Sequence, residues 1–495
     1  MPLRNIFFIA LSIIVSLACY SVAAKNRHAT LFAEALDLVE NEALQQVPRE
    51  QLFDSAMKGM LSELDEHSTF ISGERYKAFN DDMRQKFGGV GMYVDNDTSN
   101  EKLIVLAPIP GTPAFEAGVQ IGDEILEIDG QSTQGVTRAD AIKRMRGPVG
   151  KAVEIVMGRG GKRIKMSLKR ASINVPSVHG DWRNPDGSWN YVLKEDSDIG
   201  YIRLLQFGDH STEEIRAAIE KVNGRVDGLI LDLRNNTGGL LTSATDICDM
   251  FLEGNLEIVS TKARRSELNQ QFKSSTGTVL NPSTPVVVLV NRNSASASEI
   301  LAACLQDHDR AVIIGEQSYG KGTVQNIIPM QRNRSVLKLT TASYWRPSGI
   351  QIDRNDEKTK ESGVWGVQPN EGYAIELSEA DVFENIRRRS VRDLMGLRRD
   401  GTPVPETQLT MPLDREETQS PQPDSGDDQS DKGEDKPQPE SDPDSESKDG
   451  SATNSEADAG DAAKEKEGNA DPHVDKPMQR AIEHFNTLLR KAIAA

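Results

Sequence analysis

The spacing of apolar residues changes character along the chain and divides it into segments. From Thr30 to about Asp82 apolar positions recur at three and four (Leu31, Ala35, Leu38, then Leu52, Ala56, Met60, Leu64). This spacing predicts amphipathic helices, divided at Pro48 and ended by Leu64-Asp-Glu-His-Ser-Thr-Phe70. Such faces call for packing or dimerisation. His67 reads as a loop or capping residue, because no partner stands at metal-ligand spacing. From Phe87 the pattern becomes short strand-like runs (Phe87 to Val94, Leu103 to Leu106, Ile125 to Ile128, Val153 to Met157) separated by glycine turns, which predicts a small β-rich module. Beyond Ser197, strands at Ile199 to Leu204, Gly228 to Arg234, Pro285 to Val290 and Arg310 to Gly315 alternate with helices at Thr212 to Asn223, Leu241 to Leu252 and Ala297 to Gln306. Alternation with continuously apolar strands predicts an α/β core whose sheet is covered on both faces. Near the end, Met478, Ile482, Phe485, Leu488, Leu489 and Ile493 form one stripe, so the final helix is expected to dock on the globular part.

Composition changes this picture at both ends. The 495 residues carry 58 basic and 76 acidic side chains, a formal charge of −18, which argues against a dedicated nucleic-acid binder. Between Asp414 and Lys476 there are 21 acidic and 7 basic residues, a balance of −14, so the rest of the chain is close to neutral. That stretch has too few apolar groups to offset its ordering entropy and is expected to be a disordered linker, with no spacing of the EF-hand type. At the other end Arg4, an apolar run from Ile6 to Ala18 and Ser21-Val-Ala-Ala-Lys25 predict a secretory signal over residues 1–24, cleaved after Ala24. The run is shorter than the ~20 apolar residues of a membrane span, which leaves an uncleaved inner-membrane anchor as the alternative to a soluble periplasmic protein. The lipidation box before Cys19 is imperfect. Cys248 and Cys304, each among apolar residues at helical spacing, are expected to be buried free thiols.

Three clusters could carry chemistry. Asn293-Ser-Ala-Ser-Ala-Ser-Glu-Ile300 joins a buried strand to a helix, where unpaired N–H groups favour developing negative charge. Ser294, Ser296 or Ser298 could equally cap that helix, and Ser296 with Glu299 has capping-box spacing. Gly315-Glu-Gln-Ser-Tyr-Gly-Lys-Gly-Thr323 nearly matches a phosphate loop, but Gly322 stands where a magnesium-binding hydroxyl belongs and a strand follows. As a strand it would point Lys321, Thr323 and Gln325 to one face. Asp232-Leu-Arg-Asn-Asn-Thr-Gly-Gly239 is a turn that could aim N–H groups at an oxyanion or merely close a loop. His308, just past a helix end, is the candidate for a competing histidine triad, while Gly-x-Ser-x-Gly and His-Glu-x-x-His motifs are absent. Gly88-Gly89-Val90-Gly91, ahead of a strand, can present successive N–H groups to a terminal carboxylate of a peptide.

Pro113-Ala114, Ala117-Gly118, Gly122-Asp123 and Asp129-Gly130 resemble a PDZ domain reaching from about Gly88 to Arg170. Together with the three clusters and Gly366-Val-Gln-Pro369, in this order, the chain resembles the carboxyl-terminal processing peptidases, or tail-specific proteases. The resemblance implies a multidomain α/β protein: an N-terminal helical segment (25–87), a PDZ domain (88–171), a Ser-Lys peptidase core similar to the crotonase and Clp-protease fold (172–400), the acidic linker (401–476) and a C-terminal helix (477–495). It implies Ser296 as nucleophile, Lys321 as general base and Gln325 as the residue that holds the lysine. The oxyanion donors would be the N–H groups of Ala297 and of Gly238 or Gly239, and Arg146 would contribute to a hinge. A lysine with no carboxylate nearby and apolar surroundings would have its pKa lowered toward neutrality. The implied activity is an exported serine endopeptidase that selects proteins by their C-terminal ends, without metal or cofactor. Expected partners are those substrates, a periplasmic adaptor protein, and further copies of the chain through the terminal helices. A catalytically inactive PDZ scaffold is the alternative, which loss of Ser296, Lys321 or Gln325 would have marked.

Overall fold

The computed structural model describes residues 27–97, 102–184, 187–330, 334–394 and 473–494, with scattered positions before residue 27. The expected signal segment, apart from those positions, and the acidic linker up to residue 472 lie outside the described residues. No helix among the described residues is long and apolar enough to cross a membrane.

The core is a five-stranded sheet ordered Val178–His179, Ile199–Leu204, Gly228–Asp232, Val286–Val290, Ala311–Gly315, parallel except at the first strand. Successive side chains alternate between two apolar layers, which is why these strands are apolar throughout. Ile202, Leu229, Leu231, Val286, Val288 and Ile313 face the helices Ser211–Val222, Leu241–Asp249 and Ala297–Asp307. Tyr201, Ile230, Val287, Leu289 and Ile314 face the C-terminal helix Lys476–Ala494, whose Ala481 and Phe485 are buried. Gly228 is glycine because a Cβ there would strike the Phe485 ring. The docking expected of the final helix is therefore realised.

The PDZ module is a six-stranded sheet running Met92–Asp97, Lys102–Pro108, Glu124–Ile128, Ala152–Arg159, Lys162–Lys169, with Gln131–Ser132 paired at Glu124–Ile128. Its core includes Val105, Ile125, Val153, Ile155, Met157 and Leu168, closed by Ala141 and Met145 of the helix Arg138–Met145. Arg170 donates to the carbonyls of Arg144, Met145 and Ala152, which satisfies the carboxyl end of that helix. Where the chain enters and leaves the module, Lys86–Gly89 and Ala171–Asn174 pair antiparallel.

A second sheet packs against the helices Leu241–Asp249 and Ala297–Asp307, sharing their core through Ile258, Val259, Val324 and Tyr344. Ser335–Trp345 pairs with Thr323–Met330 on one side, and with Thr69–Ser72 and then Glu257–Ala263 on the other. Thr69–Ser72 was hidden from periodicity because four residues span too little of a period-two pattern. Its consequence is large: the N-terminal segment is not a separate appendage but supplies a strand to the peptidase sheet. Of the two helices before it, Arg49–Ser62 buries Leu61. Arg27–Glu42 buries no residue, and Leu31, Leu38 and Val39 on it are exposed.

Candidate active site

Ser296 stands at the junction of the strand Val286–Val290 and the helix Ala297–Asp307 with φ 55° and ψ −114°. A non-glycine residue in that region is strained, and such strain persists only where surroundings over-determine it. The surroundings here are specific. Ser294 Oγ donates to the Leu233 carbonyl at 2.8 Å and Ser298 Oγ to the Asn236 carbonyl at 2.8 Å. These two hydroxyls stitch the serine segment to the turn Arg234 to Gly239, and they are fully buried. Asn235 adds bonds to Asn291 and Asn293, and the Ala295 amide donates to the Asn236 carbonyl at 3.1 Å. Of the three candidate serines, then, two are consumed by scaffolding. Ser296 keeps 8% exposure and lies beside Tyr344, whose phenol burial pushes up to about 12.

The capping-box spacing noted above has a further use. Glu299 Oε2 accepts from the Ser296 amide at 2.8 Å and from the Lys321 amide at 2.8 Å, while Oε1 accepts from the Gly320 amide at 2.6 Å and from the Ser318 hydroxyl. One buried carboxylate thus fixes the backbone of the serine and the backbone of the lysine together. Burial pushes its carboxyl up, and these donors pull it down. Gly320 and Gly322 are required by contact, since a Cβ at either would enter Trp365 or the Asp353 backbone. The glycines that suggested a phosphate loop serve close packing, and a strand follows them as expected.

Lys321 is mostly buried, and burial pushes its ammonium down to about 8. Lys338 adds to that depression, while Glu299, Glu66 and Asp65 oppose it. Gln325 Nε2 donates to Thr323 Oγ1 at 2.9 Å and to Thr340 Oγ1 at 3.3 Å. Among the oxyanion candidates, Ala297 is the first helical residue, where a backbone N–H has no intrahelical acceptor. Gly238 packs on the serine turn: a Cβ there would meet Ser296 Cβ at 2.8 Å and Ala297 N at 3.0 Å. Its own N–H, however, donates to Asn236 Oδ1 at 2.9 Å, which removes Gly238 as an oxyanion donor. Phe207 bonds to Gly238 and Leu240 on either side of Gly239, so the Gly239 N–H points to the opposite edge and remains the candidate.

Other expected residues fall as follows. Gly88 and Gly89 belong to the antiparallel pair at the module's neck, and Val90 is buried in the PDZ core, so they form a strand and its exit and not an open loop. Gly91, with φ 79°, turns the chain into Met92–Asp97, which is the edge strand of the PDZ sheet. Arg146 lies 4.1 Å from the Phe87 ring centroid and helps to line a 290 Å³ cavity between the PDZ neck and the core. His308 bonds the Glu257 carbonyl from the far end of the serine helix, about 18 Å along its axis from Ser296, which excludes it from a triad. Cys248 and Cys304 are buried and free. Sequence reasoning missed Tyr344, Lys338, Thr340 and Asp65. Their only local signal is Asp65 and Ser68 at turn spacing, because everything that gathers them is long-range pairing.

Comparison with known proteins identifies the family. Residues 198–371 match the model of peptidase family S41, and residues 104–159 match that of the PDZ domain. A carboxy-terminal-processing protease of Bartonella bacilliformis is 36% identical over 416 residues, 79% of this chain and 89% of that protein. The carboxy-terminal processing protease CtpB of Bacillus subtilis is 32% identical over 354 residues, 71% of this chain and 68% of that protein. A carboxyl-terminal-processing protease of Synechocystis is 35% identical over 312 residues, 62% of this chain and 69% of that protein. The chain belongs to the carboxy-terminal processing proteases, serine peptidases of family S41 that carry a PDZ domain.

Proposed function

We propose that this protease is exported, takes hold of the C-terminal tail of a protein substrate with its PDZ module, and cleaves by a dyad of Ser296 and Lys321. The observation that carries this reading is Glu299, which binds the amides of both residues while burial holds Lys321 near pH 8. The neutral amine of Lys321 removes the Ser296 proton as the hydroxyl attacks a peptide carbonyl. The developing oxyanion is met by the N–H groups of Ala297 and Gly239. Lys321 then protonates the leaving amine, and water releases the acyl group by the same route. Met92–Asp97 is the edge strand of its sheet, along which an incoming tail would pair, with the carboxylate at its start near Gly91. Export rests on the N-terminal pattern of residues 1–24. Oligomerisation fits the exposed apolar face of Arg27–Glu42, on which an adaptor or a second copy would find Leu31 and Leu38.

The test is cleavage of an unfolded protein with an apolar free tail. Ser296→Ala and Lys321→Ala are each expected to lose about 10⁴-fold or more in kcat/KM with unchanged circular dichroism. Full activity in either overturns the dyad, and wild-type protein without any turnover would favour the inactive scaffold.

A further inference from the structure

The loop between the helix Arg49–Ser62 and the strand Thr69–Ser72 belongs to none of the three clusters that could carry chemistry, yet its hydrogen bonds lead to Gln325. Asp65 Oδ1 accepts from the amides of His67 and Ser68 at 2.8 Å each, and Oδ2 accepts from Ser68 Oγ at 2.7 Å. The loop is thereby wound round one carboxylate. Ser68 Oγ in turn accepts from the Thr340 amide at 3.1 Å, and Thr340 Oγ1 donates to Asp65 Oδ1 at 3.0 Å. Thr340 is the cross-strand partner of Gln325, and Thr69 is the partner of Lys338 two residues away on the same strand.

Proton counting gives this chain a direction. Burial works against the Asp65 charge, but the Ser68, His67 and Thr340 donors outweigh it and hold the carboxyl below its usual range, so Asp65 is an acceptor only. Thr340 has one hydroxyl proton and spends it on Asp65. Its oxygen must therefore accept, and the group facing it from Gln325 must be the NH₂ end of the amide. The second proton of that NH₂ goes to Thr323 Oγ1. Both donors of Gln325 are then occupied and its carbonyl oxygen Oε1 is left as the end that a lysine can use. Without Asp65, Thr340 could donate to Gln325 and the amide could turn over, presenting two donors to a cation.

We propose that Asp65 is a positioning residue for the peptidase reaction: through Thr340 it sets the orientation of the Gln325 amide, and with it the placement of the Lys321 amine. The proposal rests on the Ser296–Lys321 reading. It makes the N-terminal helical segment, 256 residues from Lys321 in sequence, part of the machinery that aims the base.

Charge and orientation are separable in a pH profile. The charged groups around Lys321 are Glu299 from the serine helix, Lys338 from the neighbouring strand, and Asp65, Glu66 and His67 from the loop. If Asp65 acted only as a nearby charge, Asp65→Asn would move the midpoint of the kcat limb to lower pH and leave the alkaline plateau unchanged. Positioning predicts instead that the plateau kcat falls by about 10²-fold, the effect of a small misplacement of a reacting group, with KM little altered. Thr340→Val, which keeps the Asp65 charge and its loop amides, is expected to lower the plateau equally, and Thr340→Ser to recover most of it. Asp65→Asn combined with Thr340→Val should cost no more than either alone, because both break one chain. Ser296→Ala and Lys321→Ala run alongside separate the two failures. If they are inactive while Thr340→Val and Asp65→Asn keep the wild-type plateau, the positioning role is overturned and the dyad stands. If they retain activity, the dyad itself is overturned.

Discussion

The two halves of the proposed dyad are held in different ways. The serine helix Ala297–Asp307 buries every residue from Ala297 to Leu305, and the turn before it is pinned by Ser294, Ser298 and Asn236, all within the parallel-sheet core. The lysine precedes Thr323–Met330, a strand in which only Val324 is buried and whose brace comes from residues 65–68. The nucleophile is thus preorganised by its own core, whereas the base is assembled from pieces that meet only when the second sheet closes. An oxyanion site acts through preorganised donors, which the rigid core around the serine turn supplies. Glu299 is the junction where the two modes of support join.

The largest test of this contrast is Glu299→Gln. It keeps the volume but replaces an acceptor-only carboxylate with an amide whose NH₂ faces N–H donors. Stability is expected to fall by about 2–3 kcal/mol in denaturant titration and kcat by about 10²-fold. Mild effects on both would mean that the halves are held independently. Hydrogen exchange sharpens the comparison next: amides of residues 300–305 should exchange only through global opening, while those of 325–330 exchange through local opening. Equal protection would remove the distinction. A pH profile follows, with kcat/KM rising about tenfold per unit below pH 8 and levelling above it, since the neutral lysine is the active form and burial places its transition at about 8. In Lys338→Gln the loss of a neighbouring cation should raise the Lys321 pKa and move that midpoint to higher pH. The smallest effect concerns recognition: if the tail carboxylate is held near Gly91 as proposed, amidating it is expected to raise KM by about tenfold, or 1.4 kcal/mol, while kcat for bound substrate stays.

Most of the core could be read from sequence because its information is local. Continuous apolar runs gave the parallel strands, and the stripe from Met478 to Leu488 gave the docked helix. The same periodic argument applied to Arg27–Glu42 predicted its face but not a partner, since amphipathicity specifies what must be covered and not by what. The site was legible as far as motifs reached: Ser296, Lys321 and Gln325 lie where strand and helix ends were expected. Local chemistry could not choose among three serines. That choice needed Leu233 and Asn236, roughly sixty residues upstream, whose carbonyls occupy two of the hydroxyls. Nor could spacing decide between Gly238 and Gly239, because the deciding contact is the Asn236 side chain.

Arg234, at the head of the oxyanion turn, grips Asp232 with one edge of its guanidinium and Asp475 with the other at 2.7 and 2.9 Å. Asp475 also opens the C-terminal helix by accepting from the Met478 amide at 3.2 Å. The arginine and its second carboxylate are separated by 241 positions. At about 5–20 residues per second of synthesis, the turn emerges roughly ten to fifty seconds before the group that completes it. For that interval Arg234 has only Asp232, one of the two carboxylates that hold it. The carboxylate at the start of the C-terminal helix is thus the last part of this turn's support to be synthesised.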